Sequence, residues 1–595
     1  MINNLSIAVL PFKNMSSNKE SEYFCDGLTE EIINALAKIN GLKVTSRTSS
    51  FFFKNKDISI TEIGKDLNVS SVLEGSVRLS QDKIRITAQL IEAQNDFHFW
   101  SETWDRKLEN IFDVQDEISL IIADKIRENF GHFELQDKLV EEQTESIEAY
   151  KNYLKGHSHF IKWNPKDAHI AIQYFEKAIM LDEFHAESYC GLAQTYSFLA
   201  SGGFLNAKIA IPKAKSYADK ALSLNNKIPE VYFSLASVEF WNEWNLDKTL
   251  SYIKKVFQIN PNYVPAYILS SMVYVLLDKK SLAIKYINDG LSLDPFSVNL
   301  LFIKSWIYYL SKEYKQALKL ANLVIEQDSN FLPAYLIKGS CLLKTKKYDE
   351  VLNYFLDKKN EHIDYTSKIG MQGIGYAFKR NVKKAKDALI DLENEFNNCS
   401  NHRALNFIFL IYSVLGDNNM VIKWLNKSIE IQFSYLLFLI SDPIVEPLSN
   451  DLRFIKIKQQ FFNSKMTLNL LSEEKSQLLD EDSIKTYSKR LFNYIDDKQP
   501  YLDTSLTLRK LATDLTMHPN QLSWLINHEF NKNFNEFINH YRIETFKRIS
   551  KDPKNSHITL IGLAYDSGFN SKTVFNTSFK KETGLTPMQY LKLNN

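Results

Sequence analysis

The sequence predicts a multidomain, mainly α-helical protein: a small α/β N-terminal domain, an α-solenoid array, and an all-α C-terminal domain with two helix-turn-helix units. Three observations carry that reading. Short apolar runs and, at 83–91, period-two alternation mark strands within about the first 130 residues. The helix-ending residues Pro261, Pro295 and Ser329 then recur 34 apart. Finally, one short pattern is written twice between residues 506 and 591.

At 595 residues the chain exceeds what one core can organise, so three or more domains are expected. Apolar residues make up 44% and charged residues 24%, as in ordinary globular protein, and the net charge of +1 excludes a global attraction to nucleic acid. A local one remains: from residue 483 onward there are 16 Lys and Arg against 10 Asp and Glu. No run reaches the ~18 apolar residues of a membrane span, and the start lacks a basic, then apolar, leader. Cys25, Cys190, Cys341 and Cys399 lie far apart, without CxxC or Cys/His ligand spacing. No metal, cofactor or disulfide is therefore expected, and a reducing cytoplasm is the expected setting.

Residues 1–136 read as the α/β domain. The apolar run 6–12 is consistent with a buried strand ending at Pro11. Thr29 is expected to cap a helix whose apolar face is Ile32, Ile33, Leu36 and Ile39. A strand at 42–47 and a helix at 60–67 follow, then a hairpin, 72–79 and 83–91, turning at 80–82. In its second strand Ile84, Ile86, Ala88 and Leu90 point one way, as one covered face requires. A helix over 111–126 closes the unit. Asp26, Glu30, Glu31, Glu74 and Asp105 show no acid/base or metal spacing, and no P-loop is present. No catalytic residue is assigned and no enzyme activity is expected. Segments 7–12, 23–31, 72–78 and 111–118, with Trp100, Trp104, Asp105 and Arg106, resemble the TolB-like domain that precedes tetratricopeptide arrays in bacterial regulators and some cyclases.

Residues 146–456 read as the array. Tyr267, Tyr274, Ala283 and Pro295 occupy fixed positions of a 34-residue unit, followed one repeat on by Leu301, Tyr308, Ala317 and Ser329, then by Tyr335, Gly339 and Phe355. Small residues let antiparallel helices approach, aromatics fill the groove beside them, and proline ends the second helix. About seven tetratricopeptide-like repeats are expected, with an insert near 201–210. Such an array implies a protein or peptide partner on its concave surface. Residues 442–448 and 451–454 resemble the segment that often caps such arrays in bacterial regulators of this class, and 457–483 are expected to form a helical linker.

Residues 484–595 hold the doubled pattern. Ala512 and Ala564 take the small position where two helices cross, Leu522 and Val574 the buried position of each second helix, and Gly568 the turn. With the ending from Phe579 through Gly584 and Pro587 to Leu591, these residues resemble the AraC-type regulator domain. Thr516 departs from it, standing where glycine is usual, so a less regular first turn is expected. The resemblance implies a sequence-specific DNA-binding transcription factor on double-stranded promoter DNA, with a homodimer allowed but not required. Each second helix would enter a major groove, with a helix over 534–549 joining the units. Asn520, Gln521, Ser523 and Trp524 are then candidate base readers in the first unit, as are Lys572, Thr573, Asn576 and Thr577 in the second. Arg542, Lys547, Arg548, Lys580 and Lys581 suit phosphates. The first unit is expected to carry more sequence choice and the second more anchoring. The alternative is a tetratricopeptide interaction scaffold with a vestigial DNA-binding domain.

Overall fold

The computed structural model describes residues 5–16, 22–80, 83–107, 111–162, 164–357, 363–398, 401–462, 478–555 and 557–594. Gln81 and Asp82 of the expected turn, Cys399 and much of the expected linker lie outside them. The expected three-part, mainly helical architecture is the one observed.

In the N-terminal domain β1 (Ser6–Val9), β2 (Lys13–Asn14), β3 (Lys43–Val44), β4 (Ser71–Ser80), β5 (Lys83–Glu92) and β6 (Phe97–Lys107) form one sheet, ordered β3-β1-β4-β5-β6 with β2 beside β4. β1 runs parallel to β3 and β4, whereas β4, β5 and β6 form an antiparallel meander. Helices α1 (Glu22–Ala37), α2 (Arg47–Phe51), α3 (Ile60–Leu67) and α4 (Ile111–Phe130) accompany the sheet. Ile84, Ile86, Ala88 and Leu90 do share the covered face, packed with α1 and α4. β6 is a strand that the sequence does not announce. Of its residues only Trp104 is buried, so it lacks the apolar alternation that marks a half-buried strand. Thr29 is not an N-cap either. The helix starts at Glu22, and Thr29 sits inside it, donating to the Cys25 carbonyl (2.8 Å) and accepting from the Phe12 N–H (3.0 Å). Its hydroxyl thereby stitches the helix to the segment just beyond β1.

Among the described residues the array holds eight helix pairs, from Ile147–Phe160 to Asn418–Glu430, one more than the repeat count suggests. The expected insert is only the turn between Ala186–Ser201 and Ala207–Leu224. Ala283 and Ala317 are fully buried, and Tyr274 stacks on Tyr286 at 5.3 Å. The period is written into the backbone as well. Trp244, Asp278, Lys312, Lys346 and Arg380, spaced 34 apart, all have positive φ (51° to 64°) at the turn inside a pair. Each such turn closes by a bond from the next residue's N–H to a carbonyl near the end of the helix before it, as in Lys279 to Tyr274 (2.8 Å) and Glu313 to Tyr308 (2.8 Å).

The segment after the last pair folds back onto the inner helices. Phe438 packs against Phe240, Trp241 and Trp306, while Asp442 accepts from the Tyr309 hydroxyl (2.7 Å). Part of the concave surface is thus covered by the chain itself. The α/β domain packs against the connections between successive helix pairs. Asn262 donates to the carbonyls of Ala37 (2.9 Å) and Leu42 (3.0 Å), Ser49 to Asp294 (2.5 Å), and Phe52 stacks on Phe296 at 4.3 Å. Among the described residues no helix is long and apolar enough to cross a membrane, and no cluster of side chains suits a metal ion.

Candidate nucleic-acid interface

The C-terminal domain has two small cores joined by one helix. In the first unit the supporting helix Leu508–Asp514 is capped by Thr507 and the reading helix Pro519–Phe530 by His518. In the second, Thr559 caps Leu560–Asp566 and Ser571 caps Lys572–Thr583. The linking helix Phe534–Ile549 has the expected span and opens on a capping box of Asn533 and Glu536. It gives Phe534, Phe537 and Ile538 to the first core and Ile543 and Phe546 to the second. Ala512 and Leu522 are buried as expected, as is Ala564, whereas Val574 is only partly buried.

The two turns share one geometry. Gly568 has φ +95°, with Phe569 N–H bonded to the Ala564 carbonyl (3.2 Å). Thr516 has φ +53°, with Met517 N–H bonded to the Ala512 carbonyl (2.9 Å). The first turn is therefore regular, and threonine holds a left-handed conformation that β-branched residues avoid. Arg490 Nη1 helps to hold it, donating to Thr516 Oγ1 and to the Leu515 carbonyl, both at 3.0 Å. Replacing Thr516 by Gly should relieve the strain and stabilise the first unit by ~1 kcal/mol, less the lost Arg490 bond. Urea titration reads this directly, and a destabilised variant would show that the Arg490 bond outweighs the strain.

The two reading faces differ in what they meet. In the second unit Lys572, Thr573, Asn576 and Thr577 are all exposed. In the first, Ser523 is 7% exposed and belongs to the core, and Trp524 stacks on His528 at 4.4 Å. Gln521 is a cap residue, its Oε1 accepting from the His518 N–H (3.3 Å). Asn520 is bound by the α/β domain. Its Oδ1 accepts from Arg127 Nη1 (2.5 Å) and the Leu135 N–H (3.1 Å), and its Nδ2 donates to the Leu135 carbonyl (3.0 Å).

The basic residues divide as well. Arg548 and Lys580 are exposed. Lys547 pairs with Glu544 (2.8 Å), and Lys581, itself well exposed, pairs with Glu536 (2.6 Å). Arg542, expected at a phosphate, is largely enclosed, donating to the carbonyls of Tyr501 (2.7 Å) and Asp503 (3.0 Å). Burial lowers its guanidinium to about 10, with Asp503 opposing the shift.

Sequence reasoning misses the residues that join this domain to the α/β domain. Arg509 pairs with Asp124, and the Leu508 N–H donates to Glu128 Oε1 (2.9 Å). Asn533 donates to the Asn129 carbonyl (2.6 Å) and Asn535 to Asn129 Oδ1 (2.8 Å). Asp124, Arg127 and Glu128 are all buried. The expected helix over 111–126 stops just short of Arg127 and Glu128, and periodicity carries no signal of what lies 380 or more residues away.

Residues 511–593 match a helix-turn-helix domain family, and residues 3–121 match the second domain of HilA/YgeH-like transcriptional regulators. A curated relative, "Putative adenylate cyclase 3" of Rhizobium meliloti (strain 1021), is 35% identical over 246 residues, 40% of this chain and 40% of that protein. The array region resembles solved repeat structures at low identity. One is a thermophilic tetratricopeptide protein of Thermus thermophilus (18% identity, TM-score 0.28, covering 33% of this chain and 99% of that one). Another is a tetratricopeptide protein of Parabacteroides merdae (14%, TM-score 0.33, covering 47% and 100%). The chain carries an N-terminal domain of transcriptional-regulator type, a tetratricopeptide-like helical array and a C-terminal AraC-type helix-turn-helix domain.

Proposed function

We propose that this regulator binds double-stranded DNA sequence-specifically through its C-terminal domain, with the array and the α/β domain as its sensing and interaction module. The observation that supports this best is the open face of the second reading helix. Lys572, Thr573, Asn576 and Thr577 stand exposed on the first turns after the Ser571 cap, where a groove-binding helix presents its base readers. Arg548 and Lys580 are exposed and open to phosphates.

The two classes of residue should separate in one experiment. Asn576→Ala should cost ~1–3 kcal/mol on a selected duplex and relax choice at one base pair. Arg548→Ala should weaken selected and unrelated duplexes alike and flatten the salt dependence by roughly one unit. Fluorescence anisotropy across a salt series measures both. Binding indifferent to salt and to either substitution would leave the scaffold reading in its place.

A further inference from the structure

The contacts at Asn520, Leu508 and Arg509 share one chemistry. An asparagine reads adenine by accepting from N6–H and donating to N7. Asn520 meets the same pair of groups in the backbone of Leu135, whose N–H donates to Oδ1 while its carbonyl accepts from Nδ2. The supporting helix of such a unit crosses the DNA backbone, where N-terminal amides and arginines meet phosphate oxygens. Here the Leu508 N–H and Arg509 meet carboxylates instead, those of Glu128 and Asp124. Asn533 and Asn535 are held in turn by Asn129.

We infer that the end of α4 and the segment 131–137 form a latch that imitates DNA, occupying the first unit's base-reading and phosphate-binding groups until it is displaced. This rests on the DNA-binding reading above. The latch and a duplex compete for the same atoms of Asn520, Leu508 and Arg509, so they bind in mutually exclusive states. Whatever loosens α4 from the C-terminal domain raises DNA affinity, and DNA in turn loosens α4.

The first test uses the full chain with substitutions confined to the latch, leaving the DNA-binding domain intact. Duplexes selected from a randomised 30-base-pair pool (an order-of-magnitude site length for two reading helices about one turn apart) by the Asp124→Ala/Glu128→Ala variant serve as the probe for it and for the parent chain. The variant should bind them roughly tenfold or more tightly than the parent. Hydrogen exchange at residues 507–521 should also quicken, with the array unchanged. Equal affinity in the two chains would overturn the latch while leaving DNA binding in place. No binding by either chain would overturn the DNA-binding reading and the latch with it. Because removing buried carboxylates can disturb folding, a second variant closes the latch instead. Asn129→Cys/Asn535→Cys, in a Cys399→Ser background and joined by a short bis-maleimide, should lose duplex binding that the uncross-linked protein retains. Retained binding after cross-linking would equally overturn the proposal.

Discussion

Replacing Gly568 by Ala should unfold the second helix-turn-helix unit and abolish DNA binding while the rest of the chain stays folded. A Cβ at this position would run into the Tyr501 carbonyl, the Leu502 Cα and Arg542 Nε, on a backbone already at φ +95°. The Tyr501 carbonyl is also the acceptor for Arg542 (2.7 Å), so the added methyl group attacks the clamp between the Pro500–Leu502 turn and the linking helix. Strain and a broken buried hydrogen bond together should cost ~3–5 kcal/mol. Hydrogen exchange of the full chain is the measurement. Amides of Lys572–Thr583 should lose protection by roughly a hundredfold or more while those of the array do not change. Undiminished protection would mean that the turn shifts aside, and that the enclosure of Arg542 is incidental.

The second large effect depends on pH and lies where the α/β domain meets the array. Glu31 of α1 stands with Glu187 and Glu230 of two array helices, near Glu30, Lys38 and His157. Burial pushes Glu31 up to about 7 and Glu187 up to about 8, and the neighbouring carboxylates add to both shifts. Each is thus more readily protonated in the fold than in the unfolded chain. Their favourable contribution is complete below the ordinary carboxylate range and is lost as pH rises through about 7 to 8. Glu187→Gln keeps the neutral shape at every pH. It should raise stability by roughly 1–3 kcal/mol at pH 8.5 and change little at pH 4.5. Thermal melts at the two values decide it: a gain equal at both would assign the effect to packing and not to charge.

Much of this fold is legible in the chain, for identifiable reasons. The array announces itself because each repeat must solve the same packing problem, so 34 residues on Ala283 returns as Ala317, with Leu301 and Ser329 in the places of Tyr267 and Pro295. The linking helix and both reading helices are equally plain, being bounded by caps and turns. What stays hidden is decided by distant parts of the chain. Thr29 looks like a cap and serves mid-helix because the Phe12 N–H needs its hydroxyl. Arg542 looks like a phosphate ligand and is taken up by two backbone carbonyls. The first reading helix has the richer face on paper, yet Ser523 turns inward, Gln521 caps its own helix, and Asn520 is held by Leu135. None of these choices leaves a periodic trace, because each depends on a particular partner and not on a repeating pattern.

The linking helix has a further consequence. Because it supplies aromatic residues to both cores, neither unit can tilt without carrying the other. A clasp on the first unit alone therefore withholds both from a duplex that needs them side by side, and the open face of the second gains little on its own. Apparent affinity then falls by the fraction of molecules unclasped: each ~1.4 kcal/mol that the clasp is worth removes one factor of ten. The response to a signal is set by that one equilibrium, and the pair of reading helices answers it as a single body.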